Sequence, residues 1–378
     1  PVYYAFPPGY KGVIYYLHGS GGSANVVVNG LETSHFARKA LHSGYAFVVT
    51  EAEESTLDED TDNDGKIRWK TFPYNLTNID MANVKAITDS LIQRGFMSAE
   101  TPRYAVGISN GGFYAHSLAA TLGFQGVVSY IGQGNGGLFN NTTVPTLWIM
   151  NENDSNDGVG AAGNQAAYDN YVKLQGRGVC TDYVLHRAYP LYAQRYERDN
   201  FPAAISASIY NELQTNNLLD AQNRPLQPAL EIFNLAVANP AAFPVLNSLG
   251  NLQLSAFRRQ TDITYAEHIY VDDWNGSALR FLDNLCAPAS PTRYLLREVS
   301  LKVFPNPVSG AAVTLSTDLW PDLQGAQVQL INAQGMVLDT RTMDTPVLMF
   351  SMSNLPAGVY AIKVQKGPKK TIKFVLRV

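Results

Sequence analysis

Short, nearly continuous apolar runs recur along most of the chain, and between them apolar residues fall at intervals of three and four. The runs are Val13–Leu17, Tyr45–Val49, Tyr104–Ile108, Gly126–Ile131, Thr146–Met150 and Tyr183–Leu185. Strands buried on both faces read this way, because no polar face has to alternate with the apolar one. Helical spacing links Phe36, Ala40 and Leu41. It links Ile79, Met81, Val84, Ile87, Leu91 and Ile92 ahead of Gly95, then Phe113 to Leu122 ahead of Gly123, then Ala167, Tyr168, Tyr171 and Leu174. Strand and helix alternate, which predicts an α/β domain built on a parallel sheet. Residues 1 to 17 are read as two strands separated by Pro-Pro-Gly-Tyr-Lys-Gly.

The alternation stops after Leu185. Residues 190 to 260 read as proline-punctuated helices, predicted over Ala203–Leu219 and Gln227–Ala238, in the place where a lid is often inserted. Ile263–His268 is read as the end of a further strand, and Ala278, Phe281, Leu282 and Leu285 mark an amphipathic helix closing the domain. Beyond it, Ala287-Pro288-Ala289-Ser290-Pro291-Thr292 is a linker by composition. Short alternating segments follow, among them Val328–Ile331, Val359–Val364 and Ile372–Leu376. The expected organisation is a first domain over 1–286, a linker over 287–297 and a small all-β sandwich over 298–378.

At 378 residues with 46% hydrophobic content the chain suffices for two cored domains. A net charge of −4 offers no basic surface for nucleic acid. No segment approaches the ~18 uninterrupted apolar residues of a membrane span. The sequence opens at Pro1 almost directly on a strand, as expected of a mature or truncated form. Cys180 and Cys286 are the two cysteines. Bridged, they would constrain the unfolded chain by roughly 4 to 5 kcal/mol, as suits an exported protein; two buried thiols are the other reading.

Candidate chemistry sits where strands end. Gly107-Ile108-Ser109-Asn110-Gly111 joins an apolar strand to a helix, the pattern of a nucleophile elbow. The first strand run ends in His18-Gly19-Ser20-Gly21-Gly22, a loop type whose backbone N–H groups form half of an oxyanion hole. Ser20 or Gly21 would supply one donor and the N–H of Asn110 the other. An acid that orients a histidine belongs after the strand following the nucleophile unit, where Asp154 leads Asp157 and Glu152. Of the six histidines, His18, His35, His42 and His116 precede that acid. His268 and His186 follow it; the fold places such a base on the loop between the final strand and the final helix, where His268 lies, with His186 the alternative.

Two acidic stretches carry less. Glu51-Ala52-Glu53-Glu54 is read as loop solvation. Asp60, Asp62 and Asp64, with Gly65 sixth and Ile67 eighth, resemble the front half of a calcium loop. Its twelfth position is Thr71, where such loops need a bidentate carboxylate, so a structural calcium and a solvated surface loop are both open readings.

With Leu17–Gly22, Ile67-Arg68-Trp69, the Ser109 elbow and Asn151-Glu152-Asn153-Asp154 in this order, the chain resembles the α/β-hydrolase fold. Within it, the likeness is to extracellular esterases grouped with polyhydroxyalkanoate depolymerases and feruloyl esterases. The resemblance implies a helical lid and a Ser109–Asp154–His268 serine esterase needing no cofactor. Polymeric ester is the expected substrate, a polyhydroxyalkanoate or a polyethylene terephthalate, ahead of feruloyl or acetyl esters of plant polysaccharide. A non-catalytic surface-binding protein on the same scaffold is the competing class. Val303-Phe304-Pro305-Asn306-Pro307, the Asn332–Gly335 turn, Leu355–Tyr360 and the basic Lys369–Lys373 look like a type IX secretion sorting domain of immunoglobulin-like form. That implies the type IX machinery as partner, and secretion or surface attachment in a Gram-negative cell.

Overall fold

The computed structural model describes residues 1–286, 301–317, 323–367 and 369–378; the linker expected at 287–297 lies outside them. Two compact units form, Pro1–His186 with His268–Ala289 and Arg187–Glu267 with Ser290–Val378.

In the first unit the chain runs β1 (Tyr3–Ala5), β2 (Val13–Leu17), α1 (Ala24–Asn29), α2 (Leu31–His42), β3 (Ala46–Val49), α3 (Glu53–Leu57), α4 (Ile79–Gln93) and β4 (Arg103–Ile108). It continues as α5 (Asn110–Leu122), β5 (Gly126–Tyr130), β6 (Thr146–Asn151), α6 (Gly160–Gly176) and β7 (Thr181–His186). The sheet order is β1-β3-β2-β4-β5-β6-β7, parallel throughout except for β1. Every residue of β2, β3, β5 and β6 is buried, which is why these strands carry no polar alternation.

Helices cover both faces. On one, Met81, Val84 and Leu91 of α4 and Tyr114 and Leu118 of α5 pack with Val13, Tyr15 and Ala105. On the other, Phe36 of α2 meets the rings of Tyr16 and Phe47 at 5.8 and 6.0 Å. Adjacent parallel strands place their carboxyl ends along one edge, where ligands of such sheets bind. The layers and strand order are those of an α/β-hydrolase core.

The second unit contains α7 (Ala203–Thr215), α8 (Ala229–Ala238), α9 (Pro244–Ser248) and α10 (Asn251–Tyr265). Their apolar faces form a core of their own around Leu213, Ile232, Leu246 and Phe257. The strand expected at Ile263–His268 is instead the last turn of α10, which ends at Ala266 in the left-handed region, φ 65°. Phe257, Gln260, Thr261 and Thr264 are buried at helical spacing with Ile263, a longer period that the local β-branched run conceals.

After α10 the chain re-enters the first unit at His268 and forms α11 (Asn275–Asn284). Its remaining strands belong to the second unit: β8 (Leu301–Phe304), β9 (Ala312–Thr317), β10 (Gln327–Asn332), β11 (Val337–Thr342), β12 (Val347–Ser351), β13 (Gly358–Lys366) and β14 (Lys369–Arg377). They make two antiparallel sheets, β11-β10-β13-β14 and β12-β9-β8. Asn306 covers the outer edge of β14, donating to Phe374 O at 2.9 Å and accepting from Leu376 N–H at 2.9 Å. Within this unit the insertion touches the sandwich: the Tyr192 and Phe304 rings lie 5.1 Å apart, and Asn223 Nδ2 is 3.9 Å from Met349 Sδ.

Cys180, just before β7, and Cys286, just past α11, are joined in a disulfide across a sequence separation of 106. The long closed loop restricts the unfolded chain, so replacing both cysteines by serine should lower unfolding free energy by up to about 4 to 5 kcal/mol. Urea denaturation of the two proteins measures this, and a loss under about 1 kcal/mol would remove the bridge from the fold's supports.

Candidate active site

Steric demands build the elbow. A Cβ on Gly107 would sit 2.1 Å from Gly111 O, and one on Gly111 would sit 2.3 Å from both Leu17 O and His18 O. Only glycines let the start of α5 press this closely onto the end of β2. Between them Ser109 adopts φ 53° and ψ −122°, a strained geometry costing on the order of 1 to 3 kcal/mol. Its N–H donates to Tyr130 O at 2.8 Å, and its O accepts from the N–H groups of Gly112 and Phe113.

Ser109 Oγ stands 3.0 Å from His268 Nε2, and His268 Nδ1 stands 2.7 Å from Asp154 Oδ2. The Asp154 side chain is fully buried. Its other oxygen accepts from the N–H groups of Asn156, at 2.9 Å, and Gly160, at 3.3 Å, so the turn after β6 holds the carboxylate in place. Asp157 and Glu152 are exposed on the same turn. His186, the other histidine after the acid, is buried and accepts from Trp274 Nε1–H at 3.0 Å.

The His268 loop is tied to the sheet from two sides. Asn151 Nδ2 donates to Ile269 O at 2.8 Å. Tyr270 and Tyr130 hydroxyls both donate to Asn275 Oδ1, at 2.5 and 3.1 Å.

The glycine loop after β2 lies against the serine: a Cβ on Gly19 would be 3.3 Å from Ser109 Cβ. Gly21 N–H donates to Ile67 O at 2.8 Å, so it is already engaged as a strut of the loop. Among the described residues, the N–H groups of Ser20 and Asn110 donate to no backbone carbonyl in a turn or loop. His18 is structural, its Nδ1 donating to Gly19 O and its Nε2 accepting from Ala52 N–H. Burial lowers its pKa and keeps it neutral.

Trp69 ties loop to elbow, a role the sequence did not signal beyond the Ile-Arg-Trp likeness. Its indole N–H donates to His18 O at 3.0 Å, and its backbone exchanges hydrogen bonds with the Asn110 side chain at 2.9 and 3.2 Å. Its ring stacks on Tyr114 at 4.6 Å.

Glu54 departs from the solvated loop expected of it. It is fully buried, accepting from Thr61 N–H and Oγ1–H and from Arg68 N–H. Asp60 and Asp62 accept from amides of their own loop, while Asp64 pairs with Arg68. Among the described residues, the groups whose oxygens or ring nitrogens converge within 4.8 Å are Glu54–Asp60–Asp62 and Glu32–His35–Asp272. Asp64 stands outside the first group.

Ser109, His268, Ser20 and Asn110 line one cavity of about 940 Å³, whose walls include Val26, Phe72, Phe113 and Val159. The arrangement offers a nucleophile, a base touching it, a buried acid touching the base, and a space beside all three.

A family model described as a secretion system C-terminal sorting domain matches residues 302–377. The chain therefore carries a type IX sorting domain, which directs it to the cell surface or the medium. Among solved structures it is similar to a dienelactone hydrolase from Anabaena variabilis, at 22% identity and TM-score 0.39, covering 50% of this chain and 80% of that one. It is also similar to esterase PE8, at 18% identity and TM-score 0.38, covering 53% and 94%. A third is Est1E from Butyrivibrio proteoclasticus with ferulic acid bound, at 12% identity and TM-score 0.35, covering 49% and 84%. No curated protein matches the sequence. Among the described residues no helix is long and apolar enough to cross a membrane.

His116, on the buried side of the sorted chain's elbow helix α5, lies between the rings of Phe139 and Trp148 at 5.0 and 5.3 Å. Burial drags its pKa from the ordinary 6.5 down to about 3. The unfolded chain takes this proton first, so stability is full above about pH 6.5 and is lost as pH falls toward 3. Between pH 7.5 and 5.0 this group should cost up to about 2 kcal/mol. In urea titrations His116→Gln should show a pH dependence flatter by that amount, and an unchanged slope would assign the acid sensitivity elsewhere.

Proposed function

We propose that this exported chain is a serine hydrolase of carboxylic esters. The observation that carries the reading is the continuous hydrogen-bonded line Asp154–His268–Ser109, ending on a strained elbow that faces the cavity. In this reading Ser109 Oγ attacks the ester carbonyl while His268 Nε2 takes its proton, and His268 returns that proton to the departing alcohol oxygen. A water then repeats the sequence on the acyl-enzyme, with His268 again the base. Asp154 holds the ring and stabilises its charged form. The N–H groups of Ser20 and Asn110 are the proposed oxyanion donors, the second lying at the positive end of α5. Gly21 supports the loop instead. The chemistry so written runs on side chains and water; a calcium held by Glu54, Asp60 and Asp62 would brace the loop beside the cavity and take no part in a step.

The proposed substrate is a large or polymeric extracellular ester. Export brings the enzyme to material it cannot take up, and a cavity of about 940 Å³, lined by apolar and charged side chains alike, admits part of a long chain. Polyesters rank ahead of feruloyl or acetyl esters of polysaccharide, and both ahead of long-chain lipids.

Hydrolysis of p-nitrophenyl butyrate tests the chemistry. Ser109→Ala, His268→Ala and Asp154→Asn should each lower kcat by at least about a thousandfold with the folded signal retained, because the three act as a unit. Loss in His186→Ala with survival in His268→Ala would move the base, and an inert wild type would favour a surface-binding protein. Rates on a polyester film, methyl ferulate and a long-chain triglyceride then rank substrates; preference for triglyceride would overturn the polymer reading.

A further inference from the structure

Phe72 is 68% exposed, yet it lines the same cavity as Ser109 and His268. A solitary exposed phenylalanine needs no explanation, but this one stands on a fixed base beside the reacting groups. Trp69, three residues earlier, is bonded to His18 and Asn110. Lys70 donates its N–H to Asp80 Oδ2 at 2.7 Å, and its O accepts from Asn78 Nδ2 at 2.6 Å. The segment is thus pinned on both sides just before the ring projects. Tyr74 meets the Phe72 ring edge-on, with centroids 5.3 Å apart at 85°. Val26, 60% exposed, adds a second uncovered apolar group to the same cavity wall. The fold leaves more than half of each side chain uncovered, so apolar surface is available to a ligand that enters the cavity.

We propose that Phe72 is an aromatic subsite residue that selects esters carrying a planar ring next to the scissile bond; the proposal rests on the ester-hydrolase reading above. A flat ring is preferred over a saturated one because aromatic pairs gain from offset stacking or edge contact beyond the area they bury. That extra contribution, about 0.5 to 1.5 kcal/mol, corresponds to roughly a two- to twelvefold preference. Within the polymeric class it points to esters of aromatic acids ahead of aliphatic hydroxyacids.

Ethyl benzoate and ethyl cyclohexanecarboxylate share a leaving alcohol and a six-membered ring, and differ in planarity. The ratio of their kcat/KM values in wild type, divided by the same ratio in Phe72→Ala, removes their intrinsic difference in reactivity. That quotient should be about two to twelve, carried mainly by KM for the benzoate, and Phe72→Tyr should restore the wild-type ratio. Since the ring is exposed, both variants are expected to fold, which circular dichroism and melting temperature check. A quotient near one, with both esters hydrolysed, overturns the subsite while leaving the hydrolase reading intact. Wild type inert toward both esters and toward p-nitrophenyl butyrate overturns the hydrolase reading and the subsite with it.

Discussion

Everything at the candidate site hangs on one close approach. The first turn of α5 meets the last residues of β2 with no room for a Cβ at Gly111, and Gly111 in turn leaves none for a Cβ at Gly107. Two parallel strands, paired from Val13 to Leu17 and from Arg103 to Gly107, thereby deliver a glycine loop and a strained serine to the same place. The strain at Ser109 is tolerable because its backbone is held from several directions, by Tyr130 O below and by Gly112 and Phe113 N–H above. Trp69 then fastens loop and elbow together with groups that are buried and so hold their hydrogen bonds away from competing water.

Three buried carboxylates organise the loops around this centre, each by gathering backbone N–H groups. Asp154 fixes the turn after β6, Glu54 gathers Thr61 and Arg68, and Asp80 joins Glu53 N–H to Lys70 N–H. Burial raises the pKa of Asp80 to about 6, against the pull of those two amides. Asp154 differs in what it does with its second oxygen, which faces His268 and leaves one acceptor for the ring. The same device, a carboxylate satisfied by amides, therefore serves structure at two positions and orientation of the His268 ring at the third.

Parallel strands and crossover helices were legible because full burial leaves a simple signature, an unbroken apolar run of about five residues flanked by glycine. The elbow was legible for a steric reason, since glycine spacing around Ser109 is dictated by contacts that no other residue permits. Tertiary partners left no such mark. Nothing local distinguishes Glu54, which is buried, from Glu53 beside it, and nothing in Gly19-Ser20-Gly21 says that Gly21 N–H is taken by Ile67 O. The end of α10 was misread because Ile263 and Thr264 favour strands locally, while the buried positions Phe257, Gln260 and Thr261 that set the helical period lie further back.

The long insertion between β7 and His268 raises a physical question: how the His268 ring can be placed reliably after some eighty residues that fold around another core. Loop-closure entropy grows only with the logarithm of length, so a long excursion adds little once its ends are fixed. Both ends are fixed here by the sheet. His186 is the last residue of β7, paired with Asn151 of β6, and Asn151 Nδ2 also holds Ile269 O beside His268. One asparagine thus grips the strand where the insertion leaves and the loop where it returns, three residues before Asp154, which meets the His268 ring. Tyr130 and Tyr270 converging on Asn275 close the other side. The insertion is free to vary in length and content because the position of the imidazole is set by groups that lie outside it.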